Sequence, residues 1–126
     1  MKMENNKRYE AGINVMEELF SQEVRTGMEE IKKISPDFWN ILVSFGFGDL
    51  YARETLSLAQ REIVTLTSLI TQGAFGQLKV HLQAALDNGL SKNEIIEIII
   101  HCAGYVGFPK AVQAMSIAGE VFKENE

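Results

Sequence analysis

Apolar residues recur at three- and four-residue steps along nearly the whole chain, and they never alternate for the length of a strand. That period predicts helices throughout. Tyr9, Ile13, Met16 and Phe20 mark a first helix over roughly 7–20. Met28 and Ile31 turn inward from a second, over 24–34. Ser35-Pro36-Asp37 then reads as a helix start: the serine caps, the proline suits the first helical position, and the aspartate faces the positive helix end. The apolar run Phe38, Trp39, Ile41, Leu42 and Phe45 follows, with Gly46 and Gly48 expected to loosen its end.

Ser57 is the next candidate cap, opening a helix through Glu62, Ile63, Leu66, Leu69 and Ile70 to Gly73. Gly73 and Gly76 mark a break or a tight packing point. The stretch QLKVHLQAALDNG reads as a helix that stops at Asn88-Gly89, a strong C-terminal signal. Ser91-Lys92-Asn93-Glu94 is a capping box. It opens a helix whose isoleucines (Ile95, Ile96, Ile98, Ile99, Ile100) cover more than one face. Such a helix is buried on most sides, in so small a protein most simply against another subunit as well as its own core. A last helix runs from about Pro109 to Phe122. No internal repeat or low-complexity linker appears.

Length and composition narrow the class. A chain of 126 residues fits one domain, and 46% hydrophobic with 23% charged residues is an ordinary globular mix. The net charge of −5, with no clustered basic stripe, argues against nucleic acid. A few local arginines can still hold an anionic small molecule in a pocket. The single cysteine, Cys102, rules out a disulfide within the chain and a CxxC redox site, and fits a reducing cytosol. No apolar run reaches membrane-spanning length. The expectation is a cytoplasmic protein with no membrane partner.

Within this pattern a few polar residues stand out. His81 lies mid-helix among Val80, Leu82 and Leu86, and an imidazole can give or take a proton near neutral pH. Its local sequence also suits a histidine hydrogen-bonded in the core or at an interface, and taken alone favours that reading. Arg61 and Glu62 sit in the preceding apolar pattern. Glu62 could orient the His81 ring, and Arg61 could fork onto a carboxylate. Equally, the two could form a surface pair or an interhelical salt bridge. Arg53 is another anion-binding candidate or a solvated loop residue. Glu97 could be a pocket carboxylate, though a solvent-facing position or an inter-subunit pair suits it better. His101 and Cys102 are adjacent on a helix and so do not face each other, and Cys102 reads as a small buried residue. Gly104 to Pro109 is a glycine-flexed helix junction that could line a pocket with Tyr105 and Phe108. It is not a phosphate loop, because no Lys-Ser/Thr follows it.

From Arg53 onward, the ordered set Leu56, Arg61-Glu62, Leu69, His81-x3-Ala85-x3-Gly89, Glu94, Glu97, Gly107-Phe108-Pro109 and Ala111 resembles the carboxymuconolactone decarboxylase family. Arg8-Tyr9-Glu10-Ala11-Gly12 and the 38–51 region resemble its decarboxylase branch, so the likeness covers nearly the whole chain. It implies a single all-α domain over 1–126, a helical bundle of the alkylhydroperoxidase D-like type with about six or seven helices, assembled as trimers or hexamers. The peroxidase branch of that superfamily carries Cys-x-x-Cys-x-x-x-His and a glutamate one helix earlier. Here the histidine matches His81 and the glutamate Glu62, while Ala74 and Gln77 occupy the cysteine positions. The resemblance therefore disfavours thiol peroxidase chemistry. It implies a decarboxylase of a carboxylated lactone, in the catabolism of aromatic compounds, that needs no cofactor or metal. His81 and Glu62 would be catalytic; Arg53, Arg61, Gln77 and Tyr105 would bind a small carboxylated substrate. Another lyase or isomerase of small carboxylates, and a non-enzymatic oligomeric binding protein, remain as alternatives. Pocket geometry around His81 and Glu62 separates an enzyme from the last of these.

Overall fold

A computed structural model describes residues 2–126, with side chains from Asn6 onward. The described residues form helices and no strand, as the apolar period requires. They gather into two compact units, one ending at Leu58 and the other beginning at Ala59.

The first unit opens with α1 (Lys2–Leu19), which starts earlier than its apolar period because the first turns are polar. The helix expected over 24–34 is divided into α2 (Gln22–Met28) and α3 (Glu30–Ile34). The break falls at Glu29, whose carbonyl is bonded by the Lys32 N–H three residues on, a tighter step than an α-turn. Next comes α4 (Pro36–Ile41), capped as its sequence indicates: the Ser35 hydroxyl accepts from the Phe38 N–H at 3.1 Å, with Pro36 in the first turn.

Here the structure departs from expectation. Instead of loosening at Gly46 and Gly48, the helix continues without a break as a wider π-helical segment, Leu42–Tyr51. The glycines serve packing. A Cβ on Gly48 would run into the Arg8 carbonyl oxygen, and one on Gly12 into the Val43 carbonyl oxygen. The α1 and π-helical backbones therefore touch, which only glycine permits. Around that contact Met16, Leu19, Phe20, Trp39, Val43 and Phe47 are buried. Phe47 meets Phe20 edge-on at 5.7 Å and stacks on Tyr51 at 5.3 Å. The Trp39 indole N–H donates to the Tyr9 hydroxyl at 2.9 Å, satisfying a buried donor. Arg8 forks onto Asp49, with Nε to Oδ1 at 2.9 Å and Nη2 to Oδ2 at 2.7 Å.

The second unit holds α5 (Leu58–Gln72), α6 (Phe75–Asp87), α7 (Lys92–Val106) and α8 (Phe108–Glu124). Its core is one apolar cluster including Leu66, Ile70, Leu78, Leu82, Ile95, Ile99, Ala114 and Val121. Each large side chain buried there contributes about 1.5–3 kcal/mol. Helix ends fall where the sequence places them. Gly73 turns with φ +72 between α5 and α6. After α6, Gly89 takes φ +109; its N–H reaches the Leu86 carbonyl and the Leu90 N–H reaches Ala85, a Schellman closure. The Ser91–Glu94 capping box is formed in both directions. Gly107, at φ +92, separates α7 from α8, and Pro109 sits in the first turn of α8. Gly76, in contrast, is an ordinary residue within the first turn of α6.

Candidate functional site: a buried histidine and glutamate

The inward face of α5 is Glu62, Leu66 and Ile70, at four-residue steps. Its first position is therefore a carboxylate where the pattern would otherwise place an aliphatic side chain. The inward face of α6 includes Leu78, His81, Leu82 and Ala85. The two helices bring Glu62 Oε2 within 2.9 Å of His81 Nδ1. Glu62 is fully buried, and the His81 side chain is 11% exposed. A carboxylate so placed would be costly without a partner, and the imidazole supplies one. Among the described residues no buried side-chain nitrogen or oxygen lacks a hydrogen-bond partner. The contact fixes the ring plane and commits Nδ1 to Glu62. A histidine held this way presents its other nitrogen for proton exchange.

The remaining sequence candidates fall in different places. Arg61 is half-buried on α5, next to Glu62 in the chain. Gln77 is exposed on α6, one turn before His81. Ala74 caps the start of α6, so neither position offered by a Cys-x-x-Cys motif carries sulfur. Arg53 is exposed in the first unit, on the irregular segment 52–57. Cys102 is buried on α7 as a free thiol, in keeping with its apolar neighbours.

Tyr105 is on a groove of about 430 Å³ between α5 and α7. His101, Cys102 and Glu97 line the same groove, together with Ile63, Thr67 and Thr71; His81 and Glu62 do not. Thr67 and Thr71 escaped sequence reasoning, although with Ile63 they stand at four-residue steps along one face of α5. Their opposite numbers, Glu97, His101 and Tyr105, keep the same spacing on α7. Among the described residues no group of three or more His, Cys, Asp or Glu side chains is placed to hold a metal ion. No described helix is long and apolar enough to cross a membrane.

Among the described residues, then, a buried carboxylate on one helix holds a histidine on the next, with no thiol at positions 74 and 77. Comparison with known proteins gives the family. A model of the carboxymuconolactone decarboxylase family matches residues 36–120, and the chain belongs to that family. It is 34% identical to a 4-carboxymuconolactone decarboxylase of Acinetobacter baylyi (strain ATCC 33305 / BD413 / ADP1), over 97% of this chain and 92% of the relative. A nitrosuccinic acid decarboxylase, npaB, of Metarhizium robertsii (strain ARSEF 23 / ATCC MYA-3075) is 25% identical over 95% of this chain and 85% of its own. An uncharacterized 15.0 kDa protein of Paracoccus denitrificans, from the nqo9-nqo10 intergenic region, is 30% identical over 79% of this chain and 75% of its own.

Proposed function

We propose that the chain is a decarboxylase acting on a small carboxylated lactone, as its relative's name indicates for 4-carboxymuconolactone, and that residues 1–126 act as a single domain. The observation that carries this reading is the 2.9 Å contact between His81 Nδ1 and Glu62 Oε2. In such a substrate the bond to the departing carboxylate breaks and its electron pair passes into the conjugated lactone. Carbon dioxide leaves, and an enolate oxygen carries the charge. The lactone accepts the electrons, so the step as written calls on no metal or organic cofactor. The enolate is then protonated at carbon to give the enol-lactone. His81 is the general acid for that protonation, acting through Nε2 while Glu62 holds Nδ1. Arg61 binds the remaining carboxylate, with Gln77 beside it on the substrate.

The working form is a cytoplasmic homo-oligomer, a trimer or hexamer, serving catabolism of aromatic compounds. Support for assembly comes from Ile100, Phe108 and Val112, which are 53%, 73% and 63% exposed in the single chain. Apolar side chains clustered at that exposure mark an association face.

The test is incubation with 4-carboxymuconolactone, following release of carbon dioxide and appearance of the enol-lactone. His81→Gln should lose about 10²–10⁴-fold in turnover while keeping its fold and assembly. Unchanged turnover in that variant would remove His81 from the mechanism. Similarity to npaB favours one second reading, decarboxylation of a different small carboxylic acid. Turnover of such an acid in place of the lactone, with the same loss in His81→Gln, would select it.

A further inference from the structure

The groove between α5 and α7 is lined by neither His81 nor Glu62, and its chemistry suits a different kind of ligand. One wall is Ile63, Thr67 and Thr71, a stretch of about 12 Å at the helical rise. Both threonine hydroxyls donate to carbonyls of their own helix, Thr67 to Ile63 at 2.8 Å and Thr71 to Thr67 at 2.7 Å. That wall therefore offers a ligand methyl groups and acceptor oxygens but no hydroxyl protons. The other wall is Glu97, His101 and Tyr105, with Ile98, Cys102 and Val106 alongside. The His101 and Tyr105 rings lie 5.4 Å apart and tilted by 32°, forming an aromatic strip. Glu97 is the acidic side chain of the lining, and among the described residues no ion pair to it is found. A second depression adjoins at Ile63, Glu97 and Ile98, placing Glu97 at the end of the groove near the start of α5.

We infer that this groove is a second binding site, for a small aromatic ammonium compound. The ammonium group pairs with Glu97, and the ring lies on the His101–Tyr105 strip one to two helical turns further along. A volume of about 430 Å³ falls within the ordinary range for small-molecule sites. The arrangement disfavours the class of molecule proposed for the His81–Glu62 pair, because among the described lining residues no lysine or arginine offsets Glu97 against a carboxylated substrate. Aromatic side chains beside a carboxylate attract an organic cation through both its charge and its apolar body.

Ligand-observed NMR titration of the full chain tests this, with phenethylamine as the probe and 3-phenylpropanoate, of similar shape and opposite charge, as its control. Phenethylamine should bind saturably and 3-phenylpropanoate should not. Glu97→Gln should weaken the amine by about tenfold or more, as expected for loss of a charge-assisted hydrogen bond. Tyr105→Ala should weaken it severalfold. His81→Gln should bind the amine like the parent chain, which separates this site from the proposed decarboxylase centre. Absence of amine binding, equal binding of both probes, or indifference to Glu97→Gln would each overturn the assignment.

Discussion

At the scale of single residues, the pairing of Glu62 with His81 is the arrangement on which the functional reading rests. Both side chains occupy positions that helical periodicity marks as inward, so their polarity was legible as an anomaly within an apolar pattern. Their mutual contact was not, because residues 19 apart in the chain meet only when α5 and α6 pack. Removing one member leaves the other buried without its partner. Glu62→Ala should therefore destabilise the fold by about 2–4 kcal/mol, from the lost partner and the cavity left behind, measured by urea unfolding. Glu62→Gln keeps the volume and one acceptor oxygen. It should retain most of that stability while turnover falls, since an amide no longer offers a charged acceptor to orient Nδ1. If Glu62→Gln turned over like the parent, the glutamate would be a structural partner only.

At the scale of elements, the helix ends were readable and the π-helical segment was not. Caps are local: Ser35, Gly89 and the Ser91–Glu94 box each act within a few residues, so their types announce them. Ser91→Ala should cost about 1 kcal/mol, seen as a lower urea midpoint with an unchanged slope. The reading of Gly46 and Gly48 as a frayed end failed for a nonlocal reason. Gly48 is small because α1 crosses it, and nothing within its own segment says so. Gly12→Ala and Gly48→Ala should each destabilise by about 1–3 kcal/mol, because a methyl group would have to displace backbone rather than a flexible side chain. The Arg8–Asp49 fork crosses the same contact. The Arg8 hydrogen bonds, with its charge adding to them, hold the Asp49 carboxyl below its ordinary value near 3.8. A carboxyl lowered in the folded state stabilises above the unfolded value and loses that contribution as pH falls through the folded one. Asp49→Asn should therefore lower stability at neutral pH, with the difference from the parent shrinking as pH falls below about 4. The effect is modest, since the Arg8 and Asp49 side chains are 41% and 35% exposed.

At the scale of the molecule, the exposed apolar residues around Ile100 make assembly the main expectation. Light scattering should report a trimer or hexamer, and Phe108→Glu with Val112→Lys should reduce the assembled mass while leaving helicity intact. A parent chain that runs as a monomer would remove this face from the argument. The all-helical class followed from the sequence alone, because a 3.6-residue apolar period is a property of the pattern itself. The same holds for the helix boundaries set by capping, and for the absence of thiols at 74 and 77, which needs only the identity of two residues. Tertiary structure decided which polar residues meet. It joined Glu62 to His81, and it set Tyr105, His101 and Glu97 on a groove of their own. Periodicity fixes which way a side chain faces on its helix, but which neighbour it finds depends on how helices distant in the chain pack together.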